Sequence, residues 1–197
     1  MEADMGRGHW LAGWLLVAGL TPGVAAGETA DRPEIVVHLV ELAQLTDRDL
    51  AVAKFEVERI FRVAGVDIVW AGHPIPIPSS VAAQHGCAHP HVVVFLTNAQ
   101  NPTSEGDKTG GEAARETGRA YVFHNRIVAE SVHHQTDPAL VLGRVMAHEI
   151  GHLLLPPHSH TPFGIMQSNI DFALVGLHIF DREQARTIRS TLMGVAR

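Results

Sequence analysis

Val145-Met146-Ala147-His148-Glu149-Ile150-Gly151-His152-Leu153-Leu154-Leu155 places two histidines four residues apart, with a glutamate between them, in an otherwise apolar run. Asp137 followed by Pro138 offers a helix start, so the run reads as the second half of a helix from Pro138 to about Leu155. Arg144 is its one basic residue outside the histidines, and a helix so apolar all round belongs in a core. Residues four apart share a helix face, so His148 and His152 can reach one metal ion. Glu149, beside them, can reach a water on that ion. Burying two imidazoles and a carboxylate among apolar side chains costs several kcal/mol unless they are paired or metal-bound. A zinc ion supplies that compensation.

Downstream, Pro156-Pro157 stop the helix near Leu154 or Leu155, because residues ahead of proline avoid helical backbone angles. His158 and His160 follow, and then Gly164-Ile165-Met166. His148-Glu149-Ile150-Gly151-His152, a later His-Ser or His-Thr pair and Gly164-Ile165-Met166 together resemble the metzincin clan of zinc peptidases. A wider pattern is similar to a family of small exported bacterial proteins of little-defined function. It rests on Ile60–Trp70, Val145–Leu155 and Gln184–Arg189, and covers most of the chain.

The metzincin resemblance implies a third histidine ligand after a glycine turn, and a methionine turn under the metal. Here the glycine position is Leu155, which does not readily take the left-handed conformation glycine allows. The clan's spacing names His158; the exported family's pattern names His160, ahead of Thr161, Pro162 and Gly164. Two prolines lead the chain away in extended form, and a longer return loop then favours His160, with His158 as the alternative. Three neutral imidazoles leave zinc an open position for water, and Glu149 is expected to accept that water's proton and pass it to the leaving amine. Met166 is expected to floor the ligands. Tyr121 is the chain's single tyrosine, so tyrosine assistance from beyond Met166 is not expected.

Working outward, Glu34–Val40 is rich in β-branched residues and predicts a strand. Thr46-Asp47-Arg48-Asp49 starts a helix that runs to about Ala64, and Gly65 ends it. Val66–Trp70 is a second strand, parallel to the first if the strand–helix–strand rule holds. His91–Leu96 predicts a third strand, buried on both faces. Residues 98–118 read as one long loop, and Gly118–Phe123 as a short fourth strand. By resemblance, that strand is an edge on which an extended substrate could lie; a plain edge strand is the alternative. A last helix is expected from about Asp181 to Met193. The expectation is one α+β domain, residues 27–197, metzincin-like. It has a mixed sheet of about four strands, an early helix and a buried zinc-binding helix.

Composition limits the partners. The net charge of −6 and the lack of a basic cluster argue against nucleic acid. Residues 1–26 read as an export signal. The apolar run Trp10–Leu20 is too short to span a bilayer comfortably, and Val24-Ala25-Ala26 suits cleavage. A secreted or periplasmic protein is expected, with no stable membrane association after cleavage. Cys87 is the only cysteine, which excludes an intrachain disulfide. His85-Gly86-Cys87-Ala88-His89-Pro90-His91 alternates soft ligands but lacks a second anchoring pair. The reading is an exported zinc-dependent metallopeptidase acting on peptide or protein substrates. A non-catalytic zinc-binding module and a zinc hydrolase of non-peptide bonds remain open. A site with Glu183 as third ligand is weaker, since Glu183 lies far along an amphipathic helix.

Overall fold

The computed structural model describes residues 32–72, 80–81, 84, 89–98, 110–168 and 178–195. All of them fall within one compact unit, Asp31–Arg197. The export-signal reading of residues 1–26 and the His85 and Cys87 positions lie outside the described residues. No helix among the described residues is long and apolar enough to cross a membrane.

β1 (Glu34–Glu41), α1 (Asp47–Val63) and β2 (Asp67–Ala71) form the expected unit, with β1 and β2 parallel. The Thr46 hydroxyl accepts from the Asp49 N–H at 3.1 Å, and Gly65 takes φ +79° just past the helix. β3 (His91–Thr97) pairs with β1 in parallel. Then come β4 (Gly111–Ala114), a 3₁₀ turn (Arg115–Thr117), β5 (Arg119–Phe123), α2 (His124–His134), α3 (Pro138–Leu154) and α4 (Arg182–Val195).

The sheet has five strands in the order β2-β1-β3-β5-β4, and only β4 runs antiparallel. This corrects the expected four strands. Gly111-Glu112-Ala113-Ala114 has no β-branched or aromatic residue, and it is a strand because β5 offers it a free edge to pair with. β5 is therefore an interior strand, and the edge beside α3 is β4. α2 was not expected either: only Ile127 and Ser131 of its eleven residues are buried, so its apolar periodicity is weak.

One face of the sheet, with Ile35, Val37, Val92, Val94, Leu96, Ala120 and Val122, packs on α1 and α3. β3 is fully buried on this face only; on the other, Val93 is buried while His91 and Phe95 are half-exposed. α1 and α3 cross closely at Gly143, where an added Cβ would lie 2.6 Å from the Ala53 carbonyl and 2.7 Å from Glu56 Cβ. Beside that crossing Glu56 is bound by Arg59 in two contacts of 2.7 and 3.0 Å and by Arg144 Nε at 3.3 Å. Burial pushes the Glu56 carboxyl up, but the two guanidiniums outweigh it and hold it below its ordinary value. Arg144 thus enters the core as the partner of a buried carboxylate.

Candidate metal centre

α3 begins as the sequence implies, with the Asp137 carboxylate accepting from the Ala139 N–H at 2.9 Å and Pro138 in the first turn. It ends at Leu154, and Leu155 is extended at φ −93°, ψ 158° ahead of Pro156. No left-handed glycine is used at this exit. The chain instead reaches a positive φ at His158 (60°) and again at Gly164 (84°). In that loop His160 turns back toward α3, whereas His158 is exposed and outside the cluster.

Nε2 of His152 lies 2.9 Å from Nε2 of His148 and 3.0 Å from Nε2 of His160. His148 is buried, His152 half-buried and His160 exposed, so the group opens to solvent on the loop side. His148 Nδ1 is 2.7 Å from the Ile165 carbonyl. A carbonyl can only accept, so Nδ1 carries the proton and Nε2 presents its lone pair to the cluster. Burial, followed by the charges of His148, His160 and Arg115, pushes His152 down to about 3. Burial also lowers His148, despite the opposing Ile165 hydrogen bond. These two imidazoles are neutral near pH 7, the form in which imidazole binds a metal. With His160 they are the one group of three among the described residues whose ligand atoms, all within 4.8 Å of one another, could hold one ion. Lone pairs facing one another at such distances repel unless a proton or a cation sits among them, so the donor set suits a borderline metal such as zinc.

Glu149 is buried one residue from His148, against the sheet edge. A Cβ on Gly111 would stand 2.7 Å from Glu149 Cγ and 2.8 Å from Oε1, so only glycine lets β4 pass this close. Burial first, and then the charge of Glu112, raises the Glu149 carboxyl to about 8. The Arg115 guanidinium donates to the His152 carbonyl, tying the turn after β4 to the last turn of the ligand helix.

Below the ligands, Ile165 and Met166 are fully buried. Thr161 N–H donates to Met166 O at 2.9 Å and Ile165 N–H to Ile179 O at 2.9 Å, which pins the turn. Gly151 admits the methionine: a Cβ there would meet Met166 Sδ at 2.7 Å and Phe180 Cε1 at 2.8 Å. Glu183 sits on the exposed side of α4, outside the histidine group. His91 on β3 pairs with His38 on β1 at 2.9 Å, and His89, just ahead of β3, with Glu34 on β1 at 3.4 Å, away from this centre. Sequence reasoning missed Gly111 and Arg115, because both fell in what read as a long glycine-rich loop.

No family model matches the chain, and no curated protein does. Among solved structures, the chain is similar to a zinc-dependent peptidase from Methanocorpusculum labreanum, at 15% identity and a TM-score of 0.53 over 77% of this chain and 99% of the other. It is likewise similar to archaemetzincin from Methanopyrus kandleri, at 19% identity and a TM-score of 0.52 over 84% of this chain and 99% of the other. The chain therefore shares its fold with archaeal proteins described as a zinc-dependent peptidase and an archaemetzincin.

Proposed function

We propose that the chain is a zinc-dependent hydrolase that cleaves peptide bonds, of metzincin type, with His148, His152 and His160 holding the ion. The convergence of three imidazole nitrogens beside a buried glutamate carries this reading. A site that only bound zinc for stability would have no use for Glu149, whose burial is costly. When bound, zinc supplies Lewis acidity, polarising a carbonyl and bringing the pKa of a coordinated water to about 7.

Glu149 would take up a proton from the attacking water and pass it to the leaving amine. A nearby cation favours the ionised carboxylate, offsetting the burial that raises Glu149 in the metal-free protein. Arg115 and Met166 hold the frame of the ligand helix from its end and its underside.

The edge of β4, which no other strand pairs among the described residues, supports a peptide as substrate. Phe123 N–H donates to Gly110 O at 2.9 Å, so Gly111 and Val122 are a non-hydrogen-bonded pair. By alternation the N–H and C=O groups of Gly111 and Ala113 point away from β5, where an extended peptide could pair with them beside Glu149. Export through residues 1–26 belongs to the same proposal, and the N-terminal sequence of the protein recovered outside the cytoplasm checks it.

The decisive test is zinc content together with cleavage of casein or a peptide library, in the protein and in Glu149→Gln. We expect one zinc per chain in both and cleavage only in the former. Zinc without cleavage of any peptide would favour a binding module or a non-peptide substrate, and no zinc would end the reading.

A further inference from the structure

Gln184 is buried in the first turn of α4, one residue from the exposed Glu183. The Asp181 carboxylate accepts from the N–H groups of Glu183 and Gln184, both at 2.8 Å, and Gln184 Oε1 accepts from the Asp181 N–H at 3.1 Å. This reciprocal capping box fixes the amide's orientation, so its NH₂ must point the other way. There Nε2 meets Ser159 O at 3.2 Å and Thr161 Oγ1 at 3.3 Å, the two residues that flank His160. Thr161 spends its own hydroxyl proton on Phe163 O at 2.8 Å and so has a lone pair free to accept.

α4 is a firm base for such a clamp. Ile188 and Leu192 are buried in the core, Arg189 donates to Ala64 O at 2.5 Å, and Thr191 donates to Leu154 O at 3.1 Å, at the end of the ligand helix. His160 itself is exposed, on a loop that leaves α3 through two prolines. Among the described residues its ring meets the rings of His148 and His152, and the backbone on either side does much to position it.

We infer that Gln184 is a positioning residue for the metal centre: its amide grips both neighbours of His160 and presets the third ligand. This rests on the metal reading above. Gln184 acts through its contacts with Ser159 and Thr161. It acts by lowering the entropy lost when an exposed loop histidine is fixed on a metal.

The test is zinc affinity by competition with a chromophoric chelator, together with the visible spectrum of the cobalt-loaded protein. The proteins are the wild type, Gln184→Met, Gln184→Glu, Asp181→Ala, His160→Ala, and Gln184→Met combined with His160→Ala. Both Gln184 variants should bind zinc roughly 10-fold more weakly, in the range seen when a ligand's outer support is lost. Their cobalt spectra should move toward that of His160→Ala. With His160 gone, Gln184→Met should weaken binding no further. Asp181→Ala removes the carboxylate's half of the box but keeps the Asp181 N–H that holds Gln184 Oε1, so it should lower Tm and leave zinc affinity and the cobalt spectrum nearly unchanged.

Wild-type affinity in Gln184→Met, an equal effect with and without His160, or an equal loss in Asp181→Ala would each overturn the positioning role while the metal reading stands. A wild type that holds no zinc, or a His160→Ala that binds as tightly as the wild type, would remove the metal reading or His160's place in it, and this role with it.

Discussion

Zinc binding should release a proton from Glu149. Without a bound cation, burial and Glu112 raise its carboxyl to about 8, so at pH 7 it is mostly protonated. A divalent cation at the neighbouring histidines favours the carboxylate strongly and should carry its pKa below 7. His148 and His152 have lowered pKa values and are already neutral, so neither adds to the release. Glu149 should therefore contribute part of a proton per zinc at pH 7, and the contribution should fade as pH rises past about 8. Ionising it at pH 7 costs about 1.4 kcal/mol, so this term strengthens apparent affinity by up to about 10-fold as pH rises through 8. The assay is titration calorimetry in buffers of different ionisation enthalpy, where the slope of apparent enthalpy counts protons. Glu149→Gln removes the contribution, and the difference between the two proteins isolates it from every other group. Equal release by both at pH 7 would refute the argument, since Glu149 would then hold the same protonation state with and without zinc.

Gly151→Ala must force Met166 and Phe180 apart from the ligand helix, costing about 1–3 kcal/mol of overpacking against a helix-propensity gain of at most about 1; a lower Tm together with a changed cobalt spectrum is expected, and an unchanged pair of readouts would count against the methionine floor. Gly111→Ala pushes on Glu149 from 2.7 Å and should lower kcat by roughly 100-fold while zinc stays bound, a scale set by the sensitivity of catalysis to misplacement of about 1 Å. Glu56 has a folded-state pKa below its unfolded one, so its contribution is complete above about pH 4.5 and is lost as pH falls through the folded value. Glu56→Gln should accordingly flatten the decline of stability measured by denaturant titration below that pH.

Much of the centre was legible along the chain because it is local. Helical spacing alone puts His148 and His152 on one face and Glu149 beside them, and an apolar run capped by Asp137-Pro138 says that this helix is buried. β1, α1 and β2 were legible for a similar reason: β-branched runs, a capping threonine and a terminating glycine are short-range signals. β4 was not legible, since Gly-Glu-Ala-Ala has no strand propensity and exists as a strand only through its pairing with β5. Placing β5 at the edge was the resulting error.

The sequence by itself determined the chemistry on offer: two helical histidines, a glutamate, two later histidines and a methionine after a glycine. Only the tertiary structure decided that His160 turns back to His148 and His152 while His158 stays outside that cluster. The prolines, the positive φ at His158 and the Gln184 contacts from α4 settle that loop together. Tertiary structure also brought Gly111 against Glu149 and Arg115 onto the end of α3. The physical reason is the range of the forces. Helix periodicity and capping act over a few residues and can be read in order, whereas loop direction and edge pairing depend on partners tens of residues away.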